Sequence, residues 1–161
     1  MKLNSVYLLL GSNMLDPQKQ LNIAKKFIQK ETGKIIDASS LYQTAAWGKT
    51  DQPDFLNQVI HLQTKFNAEE LLRNVLSIEE KMGRIRVAKN AARIIDIDIL
   101  FFNNDIISAE GLSIPHPEIY RRRFVLTPLA ELAPSFVHPV FHKNMQEMLD
   151  SCEDELNVQK I

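Results

Sequence analysis

A single cysteine, Cys152, stands among 161 residues. One thiol can neither close an internal disulfide nor build a zinc cage, so a reducing cytoplasm is the expected compartment. Excess charge of one sign is also missing, with 19 Lys and Arg against 20 Asp and Glu. That balance argues against a general nucleic-acid coat or a basic membrane-surface protein. Apolar runs such as Val6 to Leu10 are too short to cross a bilayer. The N-terminal stretch has neither the apolar segment nor the small-residue cleavage site of a secretory signal. No G-x-x-x-x-G-K-[ST] loop and no G-x-S-x-G elbow occurs. His61, His138 and His142 lack the paired cysteines that would complete a zinc site.

What is present is a chain with 45% hydrophobic and 24% charged residues, which can bury one ordinary domain core. Residues 1–161 are expected to form that single domain, with about 143–161 as a peripheral C-terminal extension. Val6 to Leu10 reads as a buried strand stopped by Gly11-Ser12-Asn13. Asp16-Pro17 supplies an N-cap and a first-turn proline for a helix whose apolar positions are Leu21, Ala24, Phe27 and Ile28. Gly33 is its expected stop. Residues 35–42 read as extended, and residues 43–53 as a long loop of the kind that serves as a lid. Residues 55–64 read as a strand. Asn67 and Glu70 form a capping box for a second helix that ends at Gly83. Residues 94–102 make the strongest strand, with Asn103-Asn104-Asp105 expected to turn it into Ile106-Ile107. A short helix is expected from Thr127, and Asn144 is a candidate cap for a terminal one. Glu153-Asp154-Glu155 reads as a solvated end. The order β-α-β-β-α-β predicts an α+β, ferredoxin-like core with a mainly antiparallel sheet, helices packed on it and extra C-terminal elements. That fold is compatible with many functions.

Chemistry concentrates in Arg93-Ile94-Ile95-Asp96-Ile97-Asp98-Ile99-Leu100. Alternation on a strand sends Asp96 and Asp98 to one face, roughly 6.5 Å apart, and the isoleucines to the other. Two carboxylates that close resist ionising together unless cations lie between them, which suits Mg²⁺ carrying a nucleotide polyphosphate. The alternative is a half-exposed strand with two chance aspartates, against which strand propensity weighs. Six of the seven arginines, Arg84, Arg86, Arg93, Arg121, Arg122 and Arg123, fall between residues 84 and 123. Arginine forks suit phosphate better than lysine, although a run such as 121–123 equally suits a solvated face. Phe55, Phe124 and Trp47 could line an aromatic slot or simply fill a core.

Taken together, these residues resemble the 6-hydroxymethyl-7,8-dihydropterin pyrophosphokinase family. The resemblance spans about residues 5–140. It rests on Gly11-Ser12-Asn13, Asp51-Gln52-Pro53-Asp54-Phe55-Leu56-Asn57, Gly83-Arg84-Ile85-Arg86, the Arg93 to Leu100 segment, Ile114-Pro115-His116-Pro117 and Arg122-Arg123-Phe124-Val125-Leu126. It implies transfer of the diphosphoryl group of ATP to the pterin hydroxymethyl oxygen, with release of AMP, in folate biosynthesis. It further implies two Mg²⁺ ions on Asp96 and Asp98, with Arg84 and Arg93 clamping phosphates beside them as catalytic residues. His116 and Arg122 would make further triphosphate contacts, and Glu79, Ile99, Leu112 and Ser113 would border the adenosine. The pterin would stack between Phe55 and Phe124, with Asn57 reading its polar edge and Thr44, Ala45 and Trp47 contributing from the loop. The loops 44–53 and 84–92 would close as lids. Ala92 stands where the family usually has proline, residues 87–91 lack its usual aromatic and glycine, and Pro117 replaces an aromatic found in some members.

The resemblance implies ATP and the pterin as small-molecule partners. A monomer is expected because no apolar patch is visible to argue otherwise, and charge balance and short apolar runs argue against nucleic acid and membrane. Two other classes remain open from the residues: metal-dependent nucleotidyl transfer on a similar sheet, and a non-catalytic binder. RNA binding is disfavoured by the missing RNP1-like aromatic motif.

Overall fold

The computed structural model describes residues 2–45, 53–83 and 94–161. The predicted core is present. The chain runs β1 (Asn4–Ser12), α1 (Pro17–Glu31), β2 (Lys34–Ala38), β3 (Tyr42–Thr44), β4 (Phe55–Thr64), α2 (Ala68–Lys81) and β5 (Asp96–Phe102). β6 (Ile107–Ala109), β7 (Leu112–Ile114), a 3₁₀ turn, α3 (Arg123–Leu132), α4 (Met145–Asp150) and β8 (Val158–Lys160) follow. The main sheet has the order β5-β1-β4-β3-β8, with β2 also paired to β4, and its pairings are antiparallel. This is the ferredoxin-like order extended by one C-terminal strand.

β1 is apolar from Val6 to Leu10 because helices cover both faces of the sheet. Val6, Leu8 and Leu10 meet Ile60, Leu62, Ile97 and Ile99 under Leu21, Ala24 and Ile28 of α1 and Leu71, Val75 and Ile78 of α2. Tyr7 and Leu9 point the other way, into a second cluster with Val59, Leu100, Phe101 and the apolar faces of α3 and α4. There Tyr7, Phe101 and Phe136 pack edge-on or tilted, with ring centroids 4.7–6.3 Å apart.

Local signals explain most boundaries. The Asp16 carboxylate accepts the Lys19 N–H, and Pro17 opens α1. The Asn67–Glu70 capping box is reciprocal, with both bonds 2.9 Å long. Gly83 has a φ of +87°, the left-handed stop expected after α2. Asn144 caps α4 through the same device with Glu147.

Four expectations change. Gly33 does not have the left-handed φ of a C-terminal stop. It is required by close approach, since a Cβ there would lie 2.1 Å from the Gln63 carbonyl oxygen. Residues 106–107 do not fold back on the long strand; β6 pairs with β7 in a separate two-stranded sheet. The helix expected from Thr127 begins at Arg123 and holds Pro128 inside it, because Asp154 accepts the Arg123 N–H and so caps the helix from far along the chain. For the same reason the acidic end is not merely solvated: Glu153 and Glu155 are exposed, but Asp154 is half-buried and β8 joins the main sheet.

Gly33→Ala should therefore cost about 3 kcal/mol, because the clash is with backbone that cannot move aside. Gly111→Ala should cost only ~1–2 kcal/mol, since nothing lies within 4 Å of its Cβ position and only its φ of +71° is strained. Denaturant midpoints of the two variants check this order.

Candidate active site

Antiparallel register places Asp96 of β5, Gly11 of β1 and Asn57 of β4 in one row across the sheet. Tyr42 of β3 continues that row beside Asn57. Because the row shares a face, the Asp96 and Asn57 side chains both emerge towards α3, with about 10 Å between their strands. Gly11 leaves the space between them open: a Cβ there would lie 2.9 Å from Asn57 Oδ1 and 3.8 Å from the Phe55 ring. Asn57 is buried, and its Nδ2 donates to Thr44 Oγ1 at 2.8 Å. Asn13 Nδ2 donates to the Pro53 carbonyl at 3.1 Å, holding the end of β1 to the segment that enters β4.

Above this row lies a cavity that opens to solvent. Thr44, Ala45, Phe55 and Asn57 line one side, and Asp96, Asp98, Arg122 and Phe124 the other. The wall from α3 exists because that helix starts at Arg123, which puts Arg122 and Phe124 at the cavity mouth. Arg122 lies 5.7 Å over the Phe124 ring, a cation–π contact. Burial depresses the proton affinity of its guanidinium, while Glu118, Asp98 and Asp96 pull it back up. That coupling carries the electrostatic character of the site, a half-buried cation facing two carboxylates.

Asp98 also lines a second cavity on the outer edge of β5, with Ile97, Ile99, Leu112, Ser113, His116 and Pro117. The two cavities thus meet at one carboxylate. His116 is anchored by its own N–H, which donates to the Leu100 carbonyl at 3.0 Å. Its Nδ1 accepts the Glu118 N–H at 3.1 Å. Burial first, then the Arg122 charge, lowers the His116 pKa and keeps the ring neutral. With Nδ1 accepting, the neutral ring carries its proton on Nε2 as a donor.

The structure therefore brings together Thr44, Ala45, Phe55, Asn57, Asp96, Asp98, Arg122 and Phe124, and places Ile99, Leu112, Ser113 and His116 next door. Glu79 takes a different position. It is buried, and its carboxylate accepts the Ile97 N–H at 2.7 Å, bracing β5 from the α2 side. Its neighbour Glu80 lines the outer cavity with Leu72 and Leu76. Trp47, Arg84, Arg86, Arg93 and the Ala92 departure lie outside the described residues. So do the expected lid 84–92 and the expected lid 44–53, apart from Thr44, which belongs to β3, Ala45 and Pro53. Among the described residues no group of three or more His, Cys, Asp or Glu could hold a metal ion. Asp96 and Asp98 alone are two hard oxygen donors on one face of a strand, an open donor set that fits a divalent cation completed by phosphate and water. Sequence reasoning missed Gly11 and Leu9 as cavity lining; a glycine inside a strand, marking close approach, was the available signal.

Comparisons with known proteins agree with this geometry. The family model for 7,8-dihydro-6-hydroxymethylpterin-pyrophosphokinase matches residues 7–134. A 2-amino-4-hydroxy-6-hydroxymethyldihydropteridine pyrophosphokinase of Haemophilus influenzae is 38% identical over 136 residues, covering 84% of this chain and 85% of that one. The protein of the same name from Aquifex aeolicus is 37% identical, with 89% of each chain covered. The folic acid synthesis protein fol1 of Schizosaccharomyces pombe is 41% identical over 89% of this chain, which spans only 20% of that longer protein. The crystal structure of a wild-type HPPK-DHPS of Plasmodium falciparum superposes with a TM-score of 0.77 at 21% identity, over 92% of this chain and 43% of that one.

Gly11→Ala should push the Asn57 amide off Thr44 and cost about 1 kcal/mol through the lost buried bond. Side-chain amide NMR of Asn57 checks it: an unchanged resonance at unchanged stability would contradict the close approach.

Proposed function

The chain belongs to the 7,8-dihydro-6-hydroxymethylpterin-pyrophosphokinase family, and from that premise we propose that it transfers the diphosphoryl group of ATP to the hydroxymethyl oxygen of 6-hydroxymethyl-7,8-dihydropterin. A new O–P bond forms at the β-phosphorus, the bond between that phosphorus and the α,β-bridging oxygen breaks, and AMP leaves. The hydroxyl proton passes to solvent or phosphate. The observation that carries this reading is that Asp98 belongs to both cavities, so an acceptor in one and a triphosphate in the other would meet at the carboxylates.

In this reading the inner cavity holds the pterin. Its flat ring stacks between Phe55 and Phe124, which supply apolar area and π-faces. Asn57, already oriented by Thr44, presents its carbonyl oxygen and remaining N–H to the polar edge of the ring. Ala45 belongs to the same wall, and Trp47 would contribute a further contact to the pterin. The outer cavity takes the nucleotide, with Ile99, Leu112 and Ser113 bordering the adenosine and Glu79 holding the strand beneath it. His116 Nε2–H and the Arg122 guanidinium donate to phosphate oxygens, and Arg84 and Arg93 complete the clamp.

Asp96 and Asp98 would hold Mg²⁺, two ions with the nucleotide, which supply charge neutralisation and polarise the phosphates when bound. The side chains otherwise act by positioning. Phosphoryl-type transfer gains most from alignment and electrostatics, so no dedicated general base is required. The reading takes the protein to act as a monomer and as one unit over residues 1–161. No helix among the described residues is long and apolar enough to cross a membrane. The reducing cytoplasm remains the proposed compartment.

The decisive experiment incubates the protein with ATP, MgCl₂ and the hydroxymethyl pterin and separates the nucleotides. Equimolar AMP and pterin diphosphate are expected, dependent on both metal and pterin; ADP would overturn the reaction class. Asp96→Asn or Asp98→Asn should lower kcat on the order of 10²–10³-fold with the fold retained, since the removed charges repel each other. Full turnover in either variant, measured at saturating MgCl₂, would refute the metal assignment. Phe124→Ala should raise the pterin KM about tenfold or more and leave the ATP KM within about threefold. Equal losses for both substrates would contradict stacking.

A further inference from the structure

The two walls of the inner cavity belong to elements far apart in sequence, α3 with Phe124 and β3 with Thr44. The segment from Cys152 to Lys160 touches both. At its start it binds Arg123, the residue between the two cavity-lining side chains Arg122 and Phe124. The Arg123 N–H donates to Asp154 Oδ2 at 3.0 Å, its Nε to the Asp154 carbonyl at 2.9 Å and its Nη2 to the Cys152 carbonyl at 3.0 Å. Arg122, at the helix N-cap position, makes no side-chain capping bond, so Asp154 serves as the cap of α3.

Four residues later the same segment becomes β8 and pairs with β3. Thr44 lies opposite Val158, Gln43 opposite Gln159 and Tyr42 opposite Lys160. The Ile161 N–H adds a bond to the Leu41 carbonyl at 3.0 Å. Thr44 in turn holds Asn57. At the other end of α3, Glu131 accepts the Tyr42 hydroxyl at 2.6 Å and both the N–H and the hydroxyl of Ser40. Burial and this carboxylate raise the Tyr42 phenol pKa to about 12, so the hydroxyl stays a donor. The helix and the strand are thus joined at one end by Glu131 and at the cavity end by the tail.

The tail buries little apolar surface: Leu156 and Val158 are half-buried, and the residues between and after them are exposed. Its weight in global stability is correspondingly small, while its geometric reach is direct. It also lies beyond residues 7–134, the part matched by the family model.

We propose that residues 152–160 act as a strap that sets the separation of Phe124 from the Thr44–Asn57 wall, making Asp154 and β8 positioning elements for the pterin acceptor. This rests on the functional reading above. The strap acts mainly on the pterin side, because Ile99, Leu112 and Ser113 lie on β5 and β7 while β8 sits at the opposite edge of the main sheet, and of the nucleotide-side residues Arg122 alone adjoins its anchor.

The test compares full-length protein with a chain ending at Leu156, with Asp154→Ala and with Asp154→Asn, in steady-state assays that vary each substrate. Loss of a cap of this kind corresponds to about fivefold, so Asp154→Ala should raise the pterin KM about fivefold. Removal of β8 should raise it about tenfold, with the ATP KM within twofold for that truncation and rising clearly less than the pterin KM for Asp154→Ala, through Arg122 alone. Asp154→Asn keeps an acceptor oxygen and should recover most of the loss. Thr64→Val, which removes a buried bond to the Thr32 carbonyl on the other face of the sheet, should lower the melting temperature without moving either KM. Equal rises in both KM values, or a lower melting temperature with an unchanged pterin KM, would overturn the strap. Absence of pterin turnover in the unmodified protein would overturn the functional reading itself.

Discussion

The antiparallel pairing of β1 with both β4 and β5 is the constraint on which the site depends. It is what puts Asp96, Gly11 and Asn57 in a single row, although 85 residues separate Gly11 from Asp96. A slip of one residue in either pairing would turn one of those side chains to the opposite face, among the isoleucines and leucines under α1 and α2. The register is held because both faces of β1 are buried. Val6, Leu8 and Leu10 have no exposure, and Tyr7 and Leu9 very little, so a slip would unpack two cores at once.

The same double burial explains why the chemistry sits where it does. Toward the middle of the sheet, the α3 face is filled by Tyr7, Leu9, Val59, Phe101 and Leu100. At the β1 C-terminal end the apolar filling stops, and the face carries Gly11, Asn57, Asp96 and Asp98 instead. Glycine in the row, with Arg122 and Phe124 at the start of α3 lining the far side, leaves a cavity rather than a packed core. Polar groups there are ordered by bonds that do not close the space. Thr44 orients Asn57, Glu79 anchors Ile97 from beneath, and Glu118 orients His116. Such preorganisation is what a reaction relying on alignment needs.

Electrostatics divides the molecule in a similar way. The formal net charge is only −1, yet a half-buried Arg122 faces Asp96 and Asp98 in the inner cavity. The arginine cluster visible in the sequence is split by the fold. Arg121 is exposed and paired with Glu118, Arg123 is consumed in tying the tail, and Arg122 alone of the three reaches the cavity. A solvated face thus describes Arg121 but not Arg122, which lines the cavity.

Much was legible from local chemistry. The capping boxes at Asn67 and Asn144, the proline start of α1 and the left-handed Gly83 follow from backbone and side-chain groups within a few residues of each other. The shared face of Asp96 and Asp98 follows from the period of a strand. The start of α3 was not legible, because its cap, Asp154, lies 31 residues downstream. Nor was the need for Gly33, which is decided by the approach of the Gln63 carbonyl. The pairing of β8 with β3, the meeting of Phe124 with Phe55 across a cavity and the different fates of three consecutive arginines belong to the same kind. The sequence by itself determined which residues are periodic, capped or alternating, since those properties arise from sterics and bonds along a short stretch of chain. Only the tertiary structure decided what each of them faces, because sheet order and layer packing bring together groups that no local interaction links.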